Sequence, residues 1–294
     1  MKIQRRSIVA LFAVGAVLPL SGCFNKKIDF SVDNPTDAVL SVRIDDTAYD
    51  IKPHTAQDVS LPAGRHTIDS PAIGKLNFIV YAGSKGGLIN PSLNPYVKVS
   101  EIYAVNDAAA KSFRPGTAVV HLDGVPFPGP YSLIEGLFID TDWRYGVHED
   151  FPESIRGSAT MNGNIATKLF AKRAFIAYFE TTQELSGHYA RYRSPMPTQP
   201  PARPTAEVVP LPVFADPAVE NASAKLKALY AAYVKTDKPD EQEALRKQYH
   251  QLTMDFVKVQ AERGGKAPRE ENEKYNTMVH LVGHALGTSA RVVP

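Results

Sequence analysis

Cysteine and tryptophan each occur once in this chain of 294 residues, as Cys23 and Trp143. A lone cysteine leaves no thiol for an intramolecular bridge, so no disulfide framework shapes the fold. An excess of one charge is lacking too. The 33 Lys+Arg face 31 Asp+Glu, which does not give the strong basic patch of a nucleic-acid binder. No Gly-x-x-x-x-Gly-Lys phosphate cradle is present. Its nearest approach, Gly83-Ser84-Lys85-Gly86-Gly87, puts the lysine ahead of the glycine pair and reads as a loop before Leu88 and Ile89. A Gly-x-Ser-x-Gly nucleophile elbow is missing as well. The charge-free run Ser7–Leu20 falls short of the about 20 apolar residues that a membrane helix needs. What remains is a hydrophobic fraction of 44%, ordinary for a globular protein, and 23 prolines, which are not ordinary.

The first 22 residues read as an address. Lys2, Arg5 and Arg6 form a basic n-region, and Ser7–Leu20 an apolar h-region before small residues. Leu20-Ser21-Gly22-Cys23 resembles the lipobox of bacterial lipoproteins. That resemblance implies a signal peptide over residues 1–22 and a Cys23 that is diacylated on sulfur, becomes the mature N-terminus and is then N-acylated. Membrane lipid is the implied partner, and two or three acyl chains hold a protein firmly where one does not. Phe24 follows, not the Asp that resembles an inner-membrane retention signal. The expected location is therefore the outer membrane of a bacterial cell envelope, facing the periplasm. Without Lys2, Arg5 and Arg6 the balance becomes 30 basic against 31 acidic, a net charge of −1.

The remaining residues divide by pattern, and the expected fold class is mainly β with α. Residues 23–193 read as an antiparallel β-sandwich domain, 194–215 as a proline-rich linker or strap, and 216–294 as a helical segment of about three helices. Ile28–Val32 alternates apolar and polar before the turn Asp33-Asn34-Pro35-Thr36-Asp37. Val39–Ile44, Tyr49–Ile51, Val59–Leu61 and Arg65–Ile68 follow about every ten residues, as in a sandwich or barrel. Gly64 suits positive φ in a tight hairpin, and Asp123-Gly124 signals a type I′ turn. Phe78–Tyr81, Tyr96–Tyr103, Ala118–Leu122 and Leu133–Ile139 are further strand candidates. Lys168–Phe179 fits either period, and Arg173–Glu180 is taken as strand. Seven prolines between Ser194 and Pro212 favour extended geometry, about 3.1 Å per residue. Asp216-Pro217 then opens a helix, Pro239 a second, and a third runs from about Pro268 to Leu286.

Two resemblances bear on the β-rich part. Val42-Arg43-Ile44-Asp45-Asp46 and Leu61-Pro62-Ala63-Gly64-Arg65-His66-Thr67-Ile68 resemble the small Ig-like envelope modules of the PEGA kind, which supports an Ig-like sandwich. Asp33-Asn34-Pro35-Thr36, Gly86-Gly87-Leu88-Ile89-Asn90-Pro91 and Asp142-Trp143-Arg144-Tyr145-Gly146 resemble a group of uncharacterised proteobacterial lipoproteins. That likeness spans roughly Cys23 to Glu180 and implies no activity.

Two constellations invite chemistry. Asp140, Asp142, Trp143, Tyr145, His148, Glu149 and Asp150 form the densest polar and aromatic cluster. Asp140 and Asp142 suit a hard cation, although the full calcium-loop spacing is absent. Trp143 and Tyr145 offer rings to a glycan or peptide, whereas the bland reading is a capped turn with Trp143 over the sandwich edge. His280 and His284 lie four apart on the third helix and share a face. Leu281 stands where the zinc-protease motif has glutamate, so structural histidines are expected there and a metal only weakly. No cofactor is implied. The expected function is a lipid-anchored envelope protein with a non-catalytic binding or scaffolding role toward an envelope protein partner. The alternatives are an envelope hydrolase acting on cell-wall or lipid material, and a structural lipoprotein that self-associates through its C-terminal helices.

Overall fold

The computed structural model describes residues 27–104, 106, 116–155, 163–193, 202–206, 208–264 and 267–294. The leader and Cys23 lie outside the described residues, as do 194–201 and 207 of the proline-rich segment. The fold is mainly β, a sandwich followed by helices.

The chain opens with β1 (Ile28–Asn34), β2 (Leu40–Ile44), β3 (Thr47–Ile51), β4 (Thr55–Leu61), β5 (Gly64–Ser70), β6 (Gly74–Val80) and β7 (Gly87–Ile89). β8 (Tyr96–Ala104), β9 (Ala118–Leu122), β10 (Val125–Gly129), β11 (Tyr131–Ile134) and β12 (Phe138–Asp140) follow. A four-stranded sheet, ordered β12-β7-β1-β4, faces a five-stranded one ordered β14-β6-β5-β2-β3, where β14 (Ala290–Val293) is the last element of the chain. Pairing is antiparallel except between β1 and β7. The alternation Leu40, Val42, Ile44 in and Ser41, Arg43 out makes β2 a half-buried strand. Between the sheets lies an aliphatic core of Phe30, Val32, Ile44, Ile68, Phe78 and Ile89 among others. Each such side chain contributes about 1.5–3 kcal/mol by leaving water. Asp123 and Gly124 both take positive φ in the β9–β10 turn, and Gly64 does so where β5 begins.

A second unit carries its own core. β11-β8-β13 form a three-stranded sheet, with β13 spanning Gly163–Ala171, and β9 and β10 form a hairpin beside it. Helix α1 (Lys172–Thr182) and the short α2 (His188–Tyr192) follow β13. Phe127, Tyr131, Phe170, Phe175 and Phe179 fill this core. The strand expected at Arg173–Glu180 is therefore a helix. Buried Phe175 and Phe179 lie four apart, a spacing that a strand of period two and a helix of period 3.6 both put on one face. The strand expected over Leu133–Ile139 is two short strands in different sheets, because Glu135-Gly136 turns the chain with φ +122° at Gly136.

Helices α3 (Pro217–Tyr233), α4 (Pro239–Gly264) and α5 (Arg269–Gly287) pack together and onto the sandwich. Asp216 caps α3 through its carboxylate, which accepts from the Ala218 and Val219 amides. Ile79 and Tyr81 project from the sandwich into the helical core, with Tyr81 stacked on Tyr233 at 4.7 Å. Phe78 and Val80 face the other way, so the apolar run Phe78–Tyr81 is buried on both sides. The chain then returns as β14, paired with β6 from Ala290↔Val80 to Val293↔Asn77. Among the described residues of the proline-rich segment, Arg203 donates to the Lys75 carbonyl at 3.0 Å and Val209 accepts from the Tyr230 hydroxyl at 3.1 Å. It thus touches both sandwich and helices.

Candidate functional site

The outward face of the β12-β7-β1-β4 sheet is not left to solvent. Because side chains alternate along β1, Phe30 and Val32 enter the core while Ser31 and Asp33 point the other way. Beside Ser31 sit Asp58 on β4 and Leu88 on β7, its cross-strand neighbours. Leu88, Tyr96, Ile139 and Leu169 form a small apolar seam where this face meets the second unit, with Trp143 and Val147 packed against it. β7 reaches β1 closely enough that Gly86 is required. Its φ is +76°, and a Cβ there would lie 1.8 Å from the Asp29 carbonyl oxygen.

The segment 141–149 stands over this face as a wall, and β13 holds it in place. The Arg144 and Tyr145 amides donate to the Thr167 carbonyl at 3.0 Å, and Leu169 N donates back to the Tyr145 carbonyl. Lys168, only 5% exposed, points its ammonium under the loop and donates to the carbonyls of Gly146 (2.9 Å), Val147 (3.2 Å) and Glu149. Burial pulls its pKa below the ordinary lysine value, opposed by the charges of Asp150 and Glu149. Three donors meeting three carbonyls turn a polar loop into a fixed one.

Fixing that loop fixes His148. Its Nε2 lies 2.7 Å from Oδ1 of Asp33, a carboxylate with no exposed surface. The other oxygen of Asp33 accepts from the Tyr96 hydroxyl at 2.5 Å. Tyr96 keeps its proton, because burial first and the Asp33 charge second push its pKa well above that of an ordinary phenol. One oxygen of Asp33 thus meets Nε2 of the imidazole and the other the Tyr96 hydroxyl, which leaves Nδ1 as the ring nitrogen not engaged by Asp33. The His148 side chain is 43% exposed and borders a groove of about 680 Å³.

Ser31, Ala56, Asp58 and Leu88 floor that groove, with Trp143 and the 146–149 loop along one side and His54 and Thr55 at the rim. His54 is tied to Asp37 at 2.7 Å, and Asp37 also accepts from Arg173 of α1 at 3.0 Å. Among the described lining residues, carboxylates (Asp58, Glu149) are present and no lysine or arginine is.

The sequence candidates fall in several places. Trp143 and His148 meet in the groove. Asp140 bonds the Ser289 amide at 2.6 Å, which ties β12 to the start of β14. Asp142 pairs with Lys98. Tyr145 bridges to Lys168 in the chain pairing and stacks edgewise on Phe151 at 6.0 Å. His280 and His284 have ring centroids 6.2 Å apart, and His284 borders a separate cleft beside the strap residues Pro204 and Thr205. Among the described residues, no group of three or more His, Cys, Asp or Glu side chains is arranged to hold a metal ion. Sequence reasoning missed Asp33, Tyr96 and Lys168. Asp33 was absorbed into a turn, and its partner stands 115 positions away, a distance no local pattern bridges.

Compared with known proteins, the chain matches no family model, no curated protein and no solved structure. Among its described residues no helix is long and apolar enough to cross a membrane.

Proposed function

We propose that this protein is a lipid-anchored component of the bacterial cell envelope, held at the outer membrane through acylated Cys23, with a non-catalytic binding role. The observation that supports the binding role is the groove. It is preformed, of a size within the range of about 300–1,000 Å³ typical of ligand clefts, and walled by a loop that Lys168 clamps from below. The anchor rests on the basic, apolar and small-residue pattern that ends at Cys23. Lys27 to β1 is a single step, so an acyl group at Cys23 keeps the sandwich close to the lipid surface.

The Asp33–His148 pair favours a second reading, an envelope hydrolase, since an imidazole held by a buried carboxylate is the orienting half of many acid–base sites. No nucleophilic hydroxyl or thiol is hydrogen-bonded to His148 among the described residues, so binding is preferred. The anchor is tested by membrane fractionation and mass determination of the mature N-terminus in wild type and Cys23→Ala. A triacylated, membrane-retained wild type beside a soluble variant supports the reading, and an unmodified wild-type N-terminus overturns it. In-cell crosslinking of the same two strains tests the envelope partner, whose enrichment should be lost with the anchor.

A further inference from the structure

We propose that the groove between the outer face of the sandwich and the 141–149 loop binds an uncharged glycan, with His148 as the fixed hydrogen-bonding group and Trp143 as the apolar platform. This deepens the binding reading given above and rests on it. Charge complementarity sets the class. The groove presents Asp58 and Glu149 and no cation among its described lining residues, so phosphate, sulfate and carboxylate ligands find no counter-charge there. Its other polar lining is short hydroxyls and imidazoles, from Ser31, Thr55, Thr141, His54 and His148. Such groups exchange hydrogen bonds with sugar hydroxyls. An indole and the Leu88 side chain supply the flat apolar contact that the C–H face of a pyranose ring needs.

The support for His148 gives the site its direction. Asp33 and Tyr96 are buried and pin one ring nitrogen. The other nitrogen is then held at a set position, where a sugar hydroxyl, which both donates and accepts, can meet it without reordering the protein. Preorganisation of this kind matters most for sugars, whose hydroxyls exchange equally good bonds with water. Lys168 does the same for the wall by removing the loop's freedom before any ligand arrives.

Trp143 is the sole tryptophan, so its emission reads this groove and nothing else. The acylated full chain, extracted in a zwitterionic detergent without sugar headgroups, is titrated with triacetylchitotriose, an uncharged N-acetylated trisaccharide. Trilysine serves as the cationic competitor class. The expected result is a saturable emission change with the trisaccharide, weakened about tenfold or more in His148→Ala, and about 1.4 kcal/mol of binding with it. Since His148→Ala deprives buried Asp33 of a partner, Ser31→Leu provides a second variant. Ser31 lines the groove floor opposite Asp58 and Leu88 and takes no part in the bonds of Asp33 to His148 and Tyr96, so filling the floor there too should abolish the response. Either no saturable change, or a change indifferent to both variants, overturns the proposal. Saturable binding of trilysine alone, lost in Asp58→Asn, overturns it in favour of a cation site. The titration does not depend on Cys23, so a failed anchor with a positive titration removes the location and keeps the ligand class.

Discussion

The two β units solve the same problem with different materials. The sandwich fills its interior with Ile, Val and Leu around two buried phenylalanines, Phe30 and Phe78, with half-buried Phe138 against Phe78 at 4.9 Å. The second unit, smaller, relies on Phe127, Tyr131, Phe170, Phe175 and Phe179 packed edge to face at 4.9–5.3 Å for the Phe127 and Tyr131 contacts to Phe175 and Phe127 to Phe179. Two sheets facing each other leave a wide, even layer that branched aliphatics fill from alternate positions. A hairpin and a three-stranded sheet leave an open side, which one helix must close with few, large side chains. The difference also appears at the margins. The sandwich borrows its last strand from the far end of the chain, whereas the second unit is covered by the helix that directly follows β13.

Truncation after Thr288 should break the sandwich side of this comparison most severely. It removes β14, with buried Ala290, Val292 and Val293, and the Asp140 bond to Ser289. The two valines alone contribute about 1.5–3 kcal/mol each, a large part of the about 5–15 kcal/mol that a domain has in total. Urea unfolding of the truncated chain should show the midpoint falling and Tyr81 and Tyr233 becoming solvent-exposed. A midpoint unchanged from the full chain would mean that β14 is an ornament of the sheet and not its edge. Phe127→Ala should cost about 3–5 kcal/mol by opening a cavity among the rings. Hydrogen exchange should then quicken in β8, β9, β10 and β13 while β2 and β5 stay protected. Equal loss in both would make the two units one cooperative block.

Alkaline pH sharpens the contrast by chemistry. In the second unit Tyr103 is pushed up to about 12 by burial and by Glu101, and Tyr131, Tyr178 and Tyr189 are raised from the same kinds of cause. Tyr81, at the helix–sandwich contact, is raised to about 12 by burial, with Arg291 opposing. A phenol whose folded pKa lies above its unfolded value of about 10 gives a contribution that is whole below pH 10. That contribution is lost as pH climbs through the folded pKa. For Tyr81 the rise from 10.0 to about 12 corresponds to about 3 kcal/mol. Between pH 10 and 12 the second unit and the helix contact should loosen, read by exchange or near-ultraviolet dichroism, while the aliphatic sandwich interior outlasts them. Simultaneous melting of β2, β5 and the second unit would contradict it.

The same contrast explains what the sequence discloses. Alternation in β2 and the turn at Asp123-Gly124 are local statements, so a reader of the chain recovers them. α1 is not local in that sense, because Phe175 and Phe179 satisfy two periods and only the open side of the sheet decides between them. β14 was hidden by its position after a helix, with its partner strand some 200 residues earlier. The site was half legible. Gly86–Pro91 gives Gly87 and Leu88 to the groove and Asp142–Gly146 gives Trp143 and Gly146, while Asp33 of Asp33-Asn34-Pro35-Thr36 holds His148 from behind, yet each segment reads alone as a turn. Asn34 and Asn90 show why: both are buried, and each accepts from the hydroxyl two residues on, across a proline. The turn chemistry is real, and it conceals that Asp33 beside it faces the other side of the sheet.

The junction between the two units gives the smallest and most local test. Lys168 belongs to the aromatic unit, resting 4.6 Å from the Phe170 ring, yet its ammonium serves the loop that walls the sandwich groove. Lys168→Met keeps much of the volume and removes the ammonium, with its three carbonyl bonds and its cation–π contact to Phe170. Each stranded carbonyl would cost about 1–3 kcal/mol if it stayed buried, but the loop is free to turn its carbonyls toward water. The expected global loss is therefore only about 2 kcal/mol, with most of the effect on loop order. Trp143 emission should shift to the red and His148 should lose its fixed contact with Asp33, visible as a changed imidazole proton resonance. Core exchange in both units should stay as it was. A global loss twice that size with no change at Trp143 would place Lys168 in the core of the second unit, and the loop would owe its form to the backbone bonds from Arg144 and Tyr145 alone.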